Sequence, residues 1–111
     1  MIELIDINGK RFPFLFSMDV VWFMSGSGKI EFKGEGENTR ITANYDDLIE
    51  LFLIANQSAI EYEGKGEKID AITLKNGIRK TPKLFIDLQN KLSESEAIKM
   101  FEDLKDDKKK T

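Results

Sequence analysis

An Asn8-Gly9 pair stands between two short apolar runs, and the second run leads straight into an amphipathic segment opened by Ser17. Asn and Gly both tolerate the positive φ that a two-residue type I′ turn demands. Ile5-Asp6-Ile7 is therefore expected to fold back on Phe12-Pro13-Phe14-Leu15-Phe16 across Asn8-Gly9-Lys10, giving a hairpin over residues 1–16. Ser17 then caps a helix over about 17–26, with Met18, Val21, Trp22 and Met24 as its apolar face.

Further along, Ile30-Glu31-Phe32 alternates like a brief strand before an acidic, glycine-rich loop carrying Glu35 and Glu37. Asn44 is the expected N-cap of a helix over 45–62, where Asp46 and Asp47 complement the helix dipole. Leu48, Ile49, Leu51, Phe52, Leu53, Ile54 and Ala55 make that helix apolar nearly all round, so it belongs at the centre of the fold. Residues 63–67 read as a flexible connection, and Ile69, Ile72 and Leu74 as either a short helix or a strand. Thr81-Pro82 predicts a helix start, with Thr as cap and Pro in the first turn, for a helix over 82–92 striped by Leu84, Phe85, Leu88 and Leu92. Ser93-Glu94-Ser95-Glu96 has capping-box spacing and opens a last expected helix, 94–104. The expectation is one α+β domain over 1–104, mostly helical, with an N-terminal β-hairpin packed on three to four helices and a charged flexible tail at 105–111.

Composition narrows the chemistry. The chain has no cysteine and no histidine, which removes thiol nucleophiles, disulfides, the usual zinc ligands and the commonest general base. A formal charge of -3 provides no general attraction to nucleic acid or anionic membranes. The longest apolar stretch, Phe12 to Met24, is broken by Ser17 and Asp19 and falls short of the about 18 residues that span a bilayer. The N-terminus has neither the basic region nor the cleavage site of a signal peptide.

Candidate chemical motifs are weak. Gly26-Ser27-Gly28-Lys29 suggests a phosphate loop, but Phe23 occupies the first glycine position and Ile30 the position of the magnesium-binding Ser/Thr. Glu35 with Glu37, or Glu61 with Glu63, offers carboxylates without the Asp/Asn ladder of a calcium loop. The lysines at 105 and 108–110 are interrupted by Asp106 and Asp107 and have no aromatic among them to stack on bases. These readings leave a protein that acts by binding, with no catalysis, cofactor or metal. Trp22, Phe23 and Met24, with Met18, Phe12, Phe14 and Phe16, exceed what one short helix can hide on one face; most of this surface is expected in the core and the remainder to meet a partner, the candidate partner-binding residues being Phe14, Phe16, Met18, Val21, Trp22 and Met24. Trp22 and Phe52 are also expected to be core residues whose truncation leaves a cavity.

The stretch Ile7-Asn8-Gly9-Lys10-Arg11-Phe12-Pro13-Phe14-Leu15-Phe16-Ser17-Met18, with a following helix that ends near Ser25-Gly26-Ser27-Gly28-Lys29, resembles the tail assembly chaperones of long-tailed (siphovirus-type) bacteriophages and prophages. In that family a strand-turn-strand precedes a helix closing on Gly-Lys, then a loop, then an acidic-capped apolar helix. Tyr45 to Phe52 takes the last place here. The resemblance implies a protein of the host bacterial cytoplasm that binds the tape measure protein, assists the tail tube protein, self-associates and engages neither nucleic acid nor membrane. It also implies that the lysine codons near the C-terminus are a candidate frameshift site. The alternatives are a virion structural tail component (completion or tube-related), or a small ligand-binding protein or enzyme using carboxylates.

Overall fold

The computed structural model describes residues 2–27, 31–33 and 40–99. Strand β1 (Glu3–Ile7) pairs antiparallel with β2 (Lys10–Phe14), in a register running from Ile7↔Lys10 to Glu3↔Phe14. Asn8 and Gly9 hold φ of 56° and 81°, the turn geometry expected of these two residue types. The Gly9 N–H also donates to Asp6 Oδ1 at 3.0 Å. Strand alternation places Ile7, Phe12 and Phe14 in the core, while Leu4, Asp6 and Arg11 stay exposed.

The closing pair of a two-residue hairpin is hydrogen-bonded, so the bonded pairs are Ile7↔Lys10, Ile5↔Phe12 and Glu3↔Phe14. Pro13 therefore sits where its backbone points away from β1, and its missing N–H costs the ladder nothing. That outer edge of β2 is sealed by the next long helix. Asn56 Nδ2 donates to the Pro13 carbonyl at 2.8 Å, and the Leu15 N–H donates to the Ala55 carbonyl at 2.9 Å.

Helix α1 (Met18–Ser27) follows, its first turn closed by the Ser17 carbonyl, which accepts from the Val20 and Val21 amides. Val20, Val21 and Met24 are buried; Met18 and Trp22 are not. The expected apolar face is thus corrected by a rotation about the helix axis, because an almost wholly apolar helix gives no periodic cue to its inner side. Strands β3 (Glu31–Lys33) and β4 (Arg40–Thr42) form a second, short antiparallel pair. The Glu31-Phe32 alternation anticipates the first of them. Arg40–Thr42 is too short to show a period, and only its pairing makes it a strand. Glu35 and Glu37 lie outside the described residues.

Helix α2 (Tyr45–Glu63) is the central element. Asn44 Oδ1 accepts from the Asp47 N–H at 2.9 Å, and Leu48, Ile49, Leu51, Phe52, Ala55 and Ala59 are buried. Its near-continuous apolar surface is satisfied by β2 and α1 together with α3 (Ala71–Lys80). The stretch read as a flexible connection is tied down: Asn56 Nδ2 also donates to the Glu67 carbonyl at 3.1 Å, and its Oδ1 accepts from the Ile69 N–H at 2.9 Å. Asp70 caps α3 through the Thr73 N–H. The helix-or-strand ambiguity resolves as helix, with Ile69 and Leu74 buried and Ile72 71% exposed. Asn76-Gly77 lies within that helix. A Cβ on Gly77 would lie 2.5 Å from Ile7 Cγ2, so the glycine is what lets α3 approach the hairpin.

Helix α4 (Lys83–Ser93) starts where Thr81-Pro82 predicts, by a different device. The Thr81 carbonyl accepts from the Leu84 N–H at 2.9 Å, and no side-chain cap bond forms. Pro82, at φ -56° and ψ -28°, is already set for a helical turn. Leu84, Leu88 and Leu92 are buried, and Phe85 meets Phe52 edge-on at 6.0 Å between centroids. Residues 96–99 are helical with Ala97 and Ile98 buried, whereas Ser93 belongs to α4, so the expected capping box does not open the next turn. The remainder of the expected helix 94–104 and the tail 105–111 lie outside the described residues. The fold is α+β and mostly helical, with an N-terminal hairpin packed on helices. Among the described residues no helix is long and apolar enough to cross a membrane.

Candidate functional site

The six residues expected to meet a partner divide sharply. Phe14 and Val21 are 0% exposed, Met24 1% and Phe16 6%, whereas Met18 is 38% and Trp22 63% exposed. The first four fill space between the hairpin, α1 and α2 and present no surface. Met18 and Trp22 are four residues apart, which puts them one turn apart on the outer side of α1. They form an apolar spot that combines a flexible methionine with a large aromatic, two side-chain types enriched at protein interfaces.

A polar clamp fixes this part of α1. Ser58, buried on α2, donates to Asp19 Oδ2 at 3.1 Å and shares a hydrogen bond with the Ser17 hydroxyl. The Asp19 N–H in turn donates to Ser17 Oγ at 3.3 Å. These bonds tie the start of α1 to the middle of α2, so the outward direction of Met18 and Trp22 is set by a rigid element.

A second concave feature was not legible in the sequence. It is a groove of about 530 Å³ between β1 and α4, floored by Ile7, Gly77 and Leu84. Leu4 and Asp6 stand on one wall, and Lys83, Asp87, Asn90, Lys91 and Glu94 on the other. The α4 spacing of i, i+4, i+7, i+8 and i+11 places those five polar residues on one helix face. That spacing was available from the sequence, but nothing local says that β1 lies opposite. Lys91 Nζ reaches Glu3 at 3.5 Å and ties the two walls together, beside a smaller cavity of about 240 Å³ that includes Phe16 and Ser95.

The other candidate motifs do not gather into a site. Gly26 and Ser27 are helical residues of α1, while Gly28 and Lys29 lie outside the described residues. Glu61 and Glu63 are exposed near the end of α2, where Glu61 accepts from Gln57 Nε2 at 3.1 Å. Among the described residues no group of three or more carboxylates is placed to hold a metal ion. Asp70 sits at the N-terminus of α3, where its carboxylate accepts from the Thr73 N–H at 2.7 Å. The Thr73 backbone N–H, then the Thr73 hydroxyl, hold its carboxyl below the ordinary 3.8, consistent with a helix cap. The chain matches no protein-family model, no curated protein and no solved structure.

Proposed function

We propose that this protein is a tail assembly chaperone of a siphovirus-type phage or prophage, acting in the host bacterial cytoplasm to bind the tape measure protein and assist assembly of the tail tube. The observation that carries the reading is the exposed Met18–Trp22 pair on α1, within the hairpin-to-helix segment that resembles that family. A long helical partner exposes apolar stripes, and a protruding Trp/Met pair covers such a stripe by side-chain insertion and area burial. Repeated copies along one partner, with contacts between copies, would add avidity.

The test is an affinity pull-down of the tagged protein from cells expressing its neighbouring genes, with bound chains identified by mass spectrometry. Recovery of a very long helical protein, lost with Trp22→Ala and Met18→Ala together, supports the proposal. A fully folded protein that recovers no such chain overturns it. Detection in purified virions favours a structural tail component instead. A second reading, a small-ligand protein, is favoured by the mixed Asp, Glu and Lys lining of the β1–α4 groove. Isothermal titration with small polar metabolites separates it from the first, because that groove contains neither Met18 nor Trp22.

A further inference from the structure

The free edge of β1 borders the groove that separates it from α4. Because the bonded pairs of the hairpin are Ile7↔Lys10, Ile5↔Phe12 and Glu3↔Phe14, the backbone N–H and C=O of Leu4 and Asp6 point the other way, toward α4. Among the described residues no backbone bond outside the hairpin engages either residue. The opposite edge, on β2, is closed by Pro13, Asn56 and the Leu15–Ala55 bond, so the hairpin can be extended on one side only. Edge strands of this kind accept a third strand through main-chain bonds, with alternate side chains reading the surroundings.

The charges select the occupant. Lys91 is paired with Glu3, which leaves Asp6, Asp87 and Glu94 facing Lys83 alone. Among the described residues Asp87 and Glu94 have no ion-pair partner. The floor formed by Ile7, Gly77 and Leu84 is apolar. We infer that the groove between β1 and α4 binds an extended basic segment of a partner protein, which adds to β1 as a third strand, its alternate residues Lys or Arg toward the acidic rim and the intervening ones apolar toward Leu84. This site shares no residue with the Met18–Trp22 surface and does not depend on the chaperone reading.

The probe is a capped peptide of alternating Lys and Val, titrated into the full chain and followed by fluorescence anisotropy and amide hydrogen exchange. Binding is expected, with new protection of the Leu4 and Asp6 amides. Binding should be lost when Lys is replaced by Glu in the peptide, or when its amides facing β1 are N-methylated. Asp87→Lys combined with Glu94→Lys, both at exposed positions, should weaken binding about tenfold with the circular dichroism unchanged. Absence of binding at about 1 mM peptide, or binding that ignores N-methylation, overturns the proposal. So does protection of Leu4 and Asp6 by concentration-dependent dimerisation without peptide, which would make a second copy the occupant.

Discussion

Among the described residues Asn56 is the only buried amide side chain, and its side-chain bonds reach backbone groups far along the chain: the Pro13 and Glu67 carbonyls and the Ile69 N–H. Asn56→Leu leaves those groups unsatisfied, and a loss of about 3 kcal/mol in urea unfolding is expected. Phe52, 0% exposed, should lose about 4 kcal/mol on truncation to Ala through the cavity left behind. Trp22→Ala should change stability by no more than about 0.5 kcal/mol, because the indole is 63% exposed. This reverses the expectation that Trp22 is a core residue. Asp70 makes stability depend on pH at the start of α3. Its folded pKa is depressed, so the cap stabilises α3 fully above 3.8 and is lost as pH falls through the lower folded value. Asp70→Asn, which caps without titrating, should flatten that acid limb in an NMR titration of the Thr73 amide.

At the scale of elements, the hairpin is the piece most completely written into its own residues. Replacing Asn8-Gly9 by Ala-Ala forces two positive φ angles on residues that resist them, and should destabilise the fold by about 2 kcal/mol in thermal unfolding. Helix α3 shows the opposite dependence. Gly77 lowers its intrinsic helicity, yet Gly77→Ala should destabilise, because the added methyl collides with Ile7 and the clash outweighs the about 1 kcal/mol gained in propensity. Sequence reasoning placed α2 and α4 to within a residue or two from Asn44 and Thr81-Pro82. It misplaced the buried side of α1, where Val20, Val21, Trp22, Phe23 and Met24 are all apolar and neighbours decide which turn inward.

For the whole molecule, α2 carries the contacts that join hairpin, α1 and α3 into one body. Native-state hydrogen exchange should therefore be slowest in α2, with β2 opening together with it rather than with β1 alone, since β2 is bonded to α2 through Pro13 and Leu15. Independent exchange of β2 would show that this clamp is weaker than its geometry indicates. The two surfaces left over, Met18–Trp22 on α1 and the β1–α4 groove, are built from different elements, so a partner on one leaves the other open.

What the sequence determined by itself was local: the turn at Asn8-Gly9, the cap at Asn44, the helix boundary at Thr81-Pro82 and the α+β class. Each of these rests on the φ/ψ demands or cap chemistry of a few adjacent residues. Only the tertiary structure decided that Trp22 faces outward, that Asn56 is a satisfied core amide, that Gly77 is a contact point and that β1 faces α4. Those outcomes depend on surfaces brought together from distant parts of the chain, such as Pro13 with Asn56 and Ile7 with Gly77, and such pairings leave no periodic trace in either partner.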